Sequence, residues 1–277
     1  MVQSGFNDKT TFMSWVNYLL YLIPKKHLSH LVGWLVHLRL PAPFSQWSVK
    51  WFQKHYKINM EEAEKPLSEY QSIGELFVRR LKAGARPVCG EIIHPVDGVL
   101  TLKQKVTGSS LIQAKGKSFS LNQFLKSEEA NDLFGDGISL TYYLCPRDYH
   151  RTHVPLSAEI FKVQYVKGAL WPVNTWSVHH QEGLFVKNER VIVWCQSSYG
   201  MYVYVMVGAT NVGKITLSFD PHWKNQDQVY QPPFPVKTGD EMGVFHMGST
   251  VIVIYDKNHP LPSEIHEGPV KVGEKII

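Results

Sequence analysis

The sequence is poor in cysteine, has no long uninterrupted apolar run, and carries almost no acid in its first sixty residues. Its three cysteines, Cys89, Cys145 and Cys195, are odd in number, far apart and without a CxxC pair. A disulfide framework or a cysteine zinc site is thereby excluded as the organising principle, and a reducing compartment is the simpler setting. The most apolar stretch, Phe12 to Ile23, is interrupted by Ser14 and Asn17 and stopped by Pro24-Lys25-Lys26. It falls short of the ~20 residues of a membrane-crossing helix. Leu31 to Leu40 is shorter still and contains Gly33, His37 and Arg39. No small-x-small site follows the first run, which counts against a signal peptide. Internal repeats and low-complexity segments are absent.

In residues 1–60 Asp8 alone faces Lys9, Lys25, Lys26, Arg39, Lys50, Lys54 and Lys57, a net +6. The whole chain is +5, so the remainder is about −1. Four of the eight tryptophans (Trp15, Trp34, Trp47, Trp51) lie in the same stretch. Basic residues interleaved with Trp and Leu fit an element lying on an anionic membrane face. A helical cap on the core is the plainer alternative. The basic residues are too sparse among apolar ones for a nucleic-acid surface.

What is present is enough apolar residue, 44% of 277, for a sizeable core. Residues 10–56 show helical spacing, with Trp15, Tyr18, Leu19 and Leu22 on one face and breaks at Pro24 and Pro41-Ala42-Pro43, which predicts about three helices. Glu61 to Arg80 reads as partly helical, with Ser72 and Glu75 as a capping box and Phe77 and Leu81 facing inward. From residue 91 short β-rich runs take over: 98–102, 138–144, 160–166, 189–195, 201–207, 214–219 and 250–255. The expected class is α+β. A helical, membrane-associating element (1–58) precedes a mostly antiparallel, β-rich catalytic domain (59–277).

Several local patterns carry chemistry. His94-Pro95-Val96-Asp97-Gly98 either starts a hairpin or supplies Asp97 as a carboxylate that orients a histidine. Pro146-Arg147-Asp148-Tyr149-His150-Arg151-Thr152-His153-Val154-Pro155 reads as a loop with two histidines suited to proton transfer. Its arginines suit an anionic ligand. As a metal pair the histidines lack a third ligand of matching character, so no metal is expected; capping a turn is their structural alternative. Leu184 to Val191 and Val207 to Gly213 read as structural, the latter lacking the ending of a phosphate loop. Gly239 to Phe245 leads into His246-Met247-Gly248-Ser249-Thr250. That pentapeptide is either a turn or a self-reactive bond. Ser249 Oγ can attack the Gly248 carbonyl and convert the amide to an ester, and β-elimination then leads to a pyruvoyl group.

Taken in order, HPVDG, PRDYHRTHVP, LFVKNERV, VGATNVG and GDEMGVFHMGST resemble the phosphatidylserine decarboxylases of the prokaryotic, pyruvoyl-dependent type. The resemblance runs from about residue 55 to 256 and includes Phe77-Val78-Arg79, Arg86-Pro87 and Ile112-Gln113-Ala114-Lys115-Gly116. Met247 stands where the family has leucine. The resemblance implies that Asp97, His153 and Ser249 form a charge relay aimed at the chain's own Gly248–Ser249 bond. Cleavage would give a β chain, 1–248, and an α chain, 249–277, which remain associated, with a pyruvoyl cofactor derived from Ser249. Phosphatidylserine would be decarboxylated to phosphatidylethanolamine through a Schiff base. His150 would serve substrate positioning and reprotonation, and Arg147 and Arg151 would anchor anionic groups. The implied location is peripheral, on the cytoplasmic face of the cell membrane, and the family leaves room for a homodimer of αβ units. Two competing functions remain: a serine hydrolase using the same three residues, although Ser249 lacks a Gly-x-Ser-x-Gly elbow, and a non-catalytic lipid-binding protein.

Overall fold

The computed structural model describes residues 36–39, 41–114, 117–173, 175–209, 214–246 and 248–277. The helices expected before residue 36 lie outside the described residues, as do residues 115–116, 210–213 and Met247. Helix α1, Ala42–Tyr56, begins where Pro41 and Pro43 fall, because the first turn has no intrahelical use for their missing N–H groups. It ends at Lys57 in the left-handed conformation (φ 54°). Its inner face, Ser45, Val49 and Phe52, meets Ile58, Tyr70, Leu76 and Phe77 in a small apolar cluster separate from the main core. That cluster draws on residues from both sides of position 58. Short helix α2, Ile73–Phe77, is capped by Ser72, whose hydroxyl accepts Glu75 N at 3.2 Å. Glu75 reaches back to Gln71 N at 2.9 Å, one residue earlier than in the usual capping box. The rest of 61–80 is irregular apart from a 3₁₀ turn at Leu67–Glu69.

The remainder runs β1 (Gly98–Lys105), β2 (Ser110–Ala114), β3 (Lys117–Ser120), α3 (Leu121–Leu125), α4 (Ala130–Phe134), β4 (Ile138–Leu144), β5 (Arg151–His153), β6 (Ala158–Val166), α5 (Thr175–His180), α6 (Leu184–Lys187), β7 (Arg190–Ser197), β8 (Met201–Gly208), β9 (Ile215–Leu217), β10 (Gln228–Val236), β11 (Glu241–Phe245), β12 (Ser249–Tyr255) and β13 (Gly268–Val270). Eight strands form an antiparallel sheet in the order β10-β6-β7-β8-β12-β4-β1-β13. A second sheet has the order β5-β11-β9, and β2 pairs with β3. The class is therefore α+β.

Strand β12 lies between β8 and β4 and is buried along its whole length. Its Thr-Val-Ile-Val-Ile run suits a strand covered on both faces. The sequence 146–155, expected to be a loop, contains β5, which pairs with β11. Strand β10 was not expected, because Pro232, Pro233 and Pro235 lie inside it. It is an edge strand, the one place in a sheet where missing N–H donors are tolerated.

Candidate active site

The Gly248–Ser249 bond sits where the chain passes from one sheet to the other. Strand β11 ends at Phe245 in the three-stranded sheet, and β12 starts at Ser249 in the eight-stranded one. Ser249 stands opposite Leu144 on β4 and Gly208 on β8, so its backbone is fixed. Its hydroxyl is fully buried and has no hydrogen-bond partner. At Gly248 a Cβ would meet nothing within 4 Å, which leaves open space beside the carbonyl that Ser249 Oγ would attack.

His153 closes β5, opposite Glu241. Its Nδ1 lies 2.8 Å from Gly239 O and its Nε2 lies 3.3 Å from Tyr149 Oη. A carbonyl only accepts, so Nδ1 carries the hydrogen. Burial lowers the His153 pKa, against the Gly239 bond and the Glu241 and Asp97 charges, which raise it. The ring is thus neutral near pH 7, with the Nε2 lone pair facing the tyrosine hydroxyl. Burial pushes Tyr149 up to about 12, so that phenol keeps its proton and donates it.

The segment leading to Asp97 is tied to His153 through the backbone, where His153 N donates to Pro95 O at 2.8 Å. The Asp97 carboxylate, however, is taken by Arg86. Arg86 Nε donates at 2.8 Å and Nη2 at 2.5 Å, while Val272 N donates at 3.0 Å. Burial works against the Arg86 charge, but the bonds to Asp97 and Glu62 raise its pKa on balance. Among the described residues no hydrogen bond joins Asp97 to His153 or His153 to Ser249. The tautomer that the expected relay assigned to Asp97 is held here by a backbone carbonyl. Gly98 next to it is fixed by packing, because a Cβ there would collide with Tyr143 O.

His150 is fully buried, packed on Phe77 with ring centroids 3.8 Å apart. Its Nδ1 bonds Asp148 O at 2.9 Å, and its Nε2 has no partner. Burial drops its pKa to about 3, so it is a neutral imidazole with a bare, enclosed lone pair. Its own carbonyl accepts Phe245 N at 3.0 Å, which ties it to the strand leading into Gly248. The two arginines expected as anchors differ in their surroundings. Arg151 Nη1 donates to both Glu241 oxygens at 3.0 Å, and its Nε donates to Val78 O. Arg147 is largely exposed beside Asp148, at 3.6 Å.

Comparison with known proteins decides the family. Residues 73–277 match the family model described as phosphatidylserine decarboxylase. The phosphatidylserine decarboxylase proenzyme of Myxococcus xanthus is 37% identical over 280 residues, covering 98% of each chain. That of an Anaeromyxobacter species is 38% identical over 93% of this chain and 95% of its own. The corresponding proenzyme of Pasteurella multocida is 37% identical over 92% and 91%. The chain belongs to the phosphatidylserine decarboxylase family.

For a phosphatidylserine decarboxylase, the site holds more than the sequence motifs announce. Tyr149 and Gly239, which set the His153 ring, have no distinguishing signal in the sequence beyond their place in the motifs. Arg86 is visible there only as part of Arg-Pro. His246, two residues before Gly248, is held 3.2 Å from Thr216 Oγ1, and its pKa falls to about 4 through burial and the nearby Lys214 and His37. Arg79, whose Nη2 donates to Arg147 O at 2.8 Å beneath the histidine segment, gives no sign in the sequence that it is buried.

Proposed function

We propose that the chain is a proenzyme that cuts its own Gly248–Ser249 bond and then decarboxylates phosphatidylserine to phosphatidylethanolamine. The buried, unpartnered Ser249 hydroxyl next to Gly248, where a side chain would meet only open space, carries the reading. The preceding carbonyl is the covalent neighbour of that Oγ, and Ser249 lacks the Gly-x-Ser-x-Gly elbow of a hydrolase. That argues against a hydrolase acting on outside substrates.

In the cleavage, His153 Nε2 takes the Ser249 proton as Oγ bonds to the Gly248 carbon. The C–N bond then breaks, and the departing nitrogen takes a proton, leaving an ester. Loss of the Ser249 Cα proton and of the Cβ–O bond frees Gly248 as a carboxylate and leaves a dehydroalanine, which water converts to pyruvoyl and ammonia. Gly239 O keeps His153 in the tautomer whose Nε2 is the proton acceptor. To serve as the base, that Nε2 exchanges the Tyr149 hydroxyl for the Ser249 hydroxyl, and the Asp97 charge favours the imidazolium. The pyruvoyl group supplies a ketone and adjoining amide that accept the electrons released when the substrate carboxylate leaves as CO2. His150 is the enclosed group for proton transfer at the substrate carbon.

The two chains would stay together. Residues 249–277 contribute β12, the middle of the main sheet, and β13 beside β1. The tail crosses back through Gly273 N to His94 O and Ile276 N to Ile92 O. At the membrane, α1 offers a second apolar face: Phe44, Trp47 and Trp51 at i, i+3 and i+7 are 64%, 68% and 50% exposed. They point away from the buried Val49 and Phe52, with Lys50, Lys54 and Lys57 nearby, which supports peripheral docking on anionic lipid. Among the described residues no helix is long and apolar enough to cross a membrane.

Denaturing mass spectrometry and CO2 release test the reading together. Two pieces that add to the 31.7 kDa chain, apart from the ammonia lost and water gained, and CO2 from phosphatidylserine vesicles are expected. An intact chain that releases no CO2 would sink it.

A further inference from the structure

Arg79 is 5% exposed, yet its Nε and Nη1 have no hydrogen-bond partner. Only Nη2 is used, on Arg147 O. At least three of the five N–H bonds of a permanent cation are therefore unpaired inside the protein. The two carboxylates whose charge reaches Arg79 are engaged elsewhere: Asp97 by Arg86, and Asp148 by Cys145 N at 2.7 Å and by Arg147. A buried guanidinium is ordinarily paired or fully hydrogen-bonded, so its free N–H groups point to a missing anion.

A polar cavity of about 360 Å³ reaches Arg79. Five cations line it, among them Lys65 and Arg80, against three carboxylates. Among the lining cations, Arg39 is bonded to Glu75 and Arg151 to Glu241, which does not line the cavity. Tyr70 also lines it, and its hydroxyl approaches the Lys65 backbone without closing a hydrogen bond. The cavity abuts the catalytic segment, since Arg151 lies in its wall between His150 and His153 and the Arg79 charge is felt at His150.

We propose that Arg79, with Tyr70 beside it, is the binding site for the phosphodiester of the lipid headgroup. This rests on the decarboxylase reading above. The headgroup has two anionic groups, and the chemistry distinguishes them. The carboxylate leaves as neutral CO2, so an arginine clamped on it would stabilise the ground state more than the transition state and slow the reaction. The phosphodiester keeps its charge throughout and is the group an enclosed guanidinium holds without that penalty.

The test uses processed enzyme and two substrates: phosphatidylserine in vesicles, and O-octanoyl-serine, which keeps the amine and carboxylate but has no phosphate. Arg79→Gln is expected to raise KM for phosphatidylserine at least tenfold and to leave kcat/KM for O-octanoyl-serine within twofold. Equal losses on both substrates, or none on either, would overturn the proposal. Wild-type enzyme provides the arm that needs no folded variant. Glycerophosphoserine should compete against phosphatidylserine at least tenfold more strongly than inorganic phosphate does, and inorganic phosphate should compete more strongly than sodium acetate. Inorganic phosphate matching glycerophosphoserine would make this a free-phosphate site and reject the headgroup assignment. Failure of wild-type protein to cleave or to release CO2 would instead reject the decarboxylase reading, and it is read before any variant is made.

Discussion

Arg190 and Arg79 are both buried arginines, and their surroundings serve them differently. Arg190, at the start of β7, donates through Nε to Phe124 O at 2.8 Å and through Nη1 to Val186 O at 2.7 Å and Asn188 O at 3.0 Å. Its Nη2 donates to Gln123 O at 3.0 Å. Next to it Asn188 accepts from Trp171 N and donates to Trp171 O and Gly208 O. There polar atoms join α3, α6 and the main sheet, and the donors are used. Around Gly248–Ser249, by contrast, Ser249 Oγ, His150 Nε2 and two Arg79 nitrogens have no partner. Asn122 and Asn131 Oδ1 and the hydroxyls of Tyr70, Ser139, Tyr204 and Tyr255 are also buried without a partner, so such atoms are not confined to the site. The site is distinguished by having a serine, an imidazole and a cation among them. A buried polar atom without a partner costs about 1–3 kcal/mol. At the site that cost falls on the groups the chemistry uses, a nucleophile, an imidazole and a cation.

The sharpest way to break the contrast is at Ser249. Ser249→Ala removes an oxygen that bonds nothing, so folding should be intact while cleavage and decarboxylation vanish. The expected result is a single chain of about 31.7 kDa melting within roughly 2 °C of an uncleaved reference. A variant that unfolds would show the hydroxyl to be structural. The mirror experiment is Arg190→Met on the Ser249→Ala background. Four carbonyls lose their donor, so stability should fall by at least about 3 kcal/mol in urea unfolding. A loss under about 1 kcal/mol would mean that the nest around Arg190 is no framework.

The same contrast explains what was legible in the sequence. Residues 138–144 were anticipated to the residue as a strand, and 201–207 and 250–255 to within one, because β-branched and aromatic runs between turns leave little else for the chain to form. Strand β5 was hidden because Arg-Thr-His between prolines has no strand pattern of its own; it exists through pairing with β11. Strand β10 was hidden by its prolines. At the site, motif order identified Ser249, His153 and Asp97 as the residues to look for. The bonds among them were not legible. Arg86 captures Asp97 from eleven positions upstream, and Gly239, eighty-six residues from His153, sets its ring. Spacing along a chain does not report such partners. Nor does it report burial, which is what separates Arg79 from Arg80.

Acid should expose the buried histidines of the site region before it reaches the carboxylates. His150 titrates at about 3 and His94 at about 4, both lowered first by burial, against about 6.5 in the unfolded chain. Below pH 6.5 the unfolded state binds these protons and the native state does not. The stability from keeping them neutral is therefore complete above 6.5 and lost as pH falls toward 4. His246, lowered to about 4 by burial first, behaves alike. Each contributes a slope of about 1.4 kcal/mol per pH unit, so the three together give about 4 kcal/mol per pH unit near pH 5. Urea unfolding of Ser249→Ala at several pH values measures the slope, and His150→Gln should lower it by about a third. A flat profile would show that these rings protonate in the native protein. Cleavage by wild-type protein should likewise hold its rate below pH 6.5 before falling, because His153 is lowered in the same direction; a fall centred above 6.5 would exclude that environment for the base.

The smallest effect concerns the outer face of α1, where apolar side chains rather than polar ones lack partners. Val49 and Phe52 on the inner face are already committed to the small cluster with Phe77, so membrane docking has to use the other face. Replacing Trp47 and Trp51 by serine should leave melting and self-cleavage unchanged, because both side chains are half or more exposed. Binding to vesicles containing anionic lipid should weaken by about tenfold, or about 1.4 kcal/mol. Added salt should weaken binding of the wild type further, by screening Lys50, Lys54 and Lys57 from the surface. The two perturbations act on different terms, so the double-serine variant should keep the wild-type salt dependence. If it loses that dependence too, the tryptophans orient the basic residues rather than insert, and the apolar face is not the part that enters the lipid.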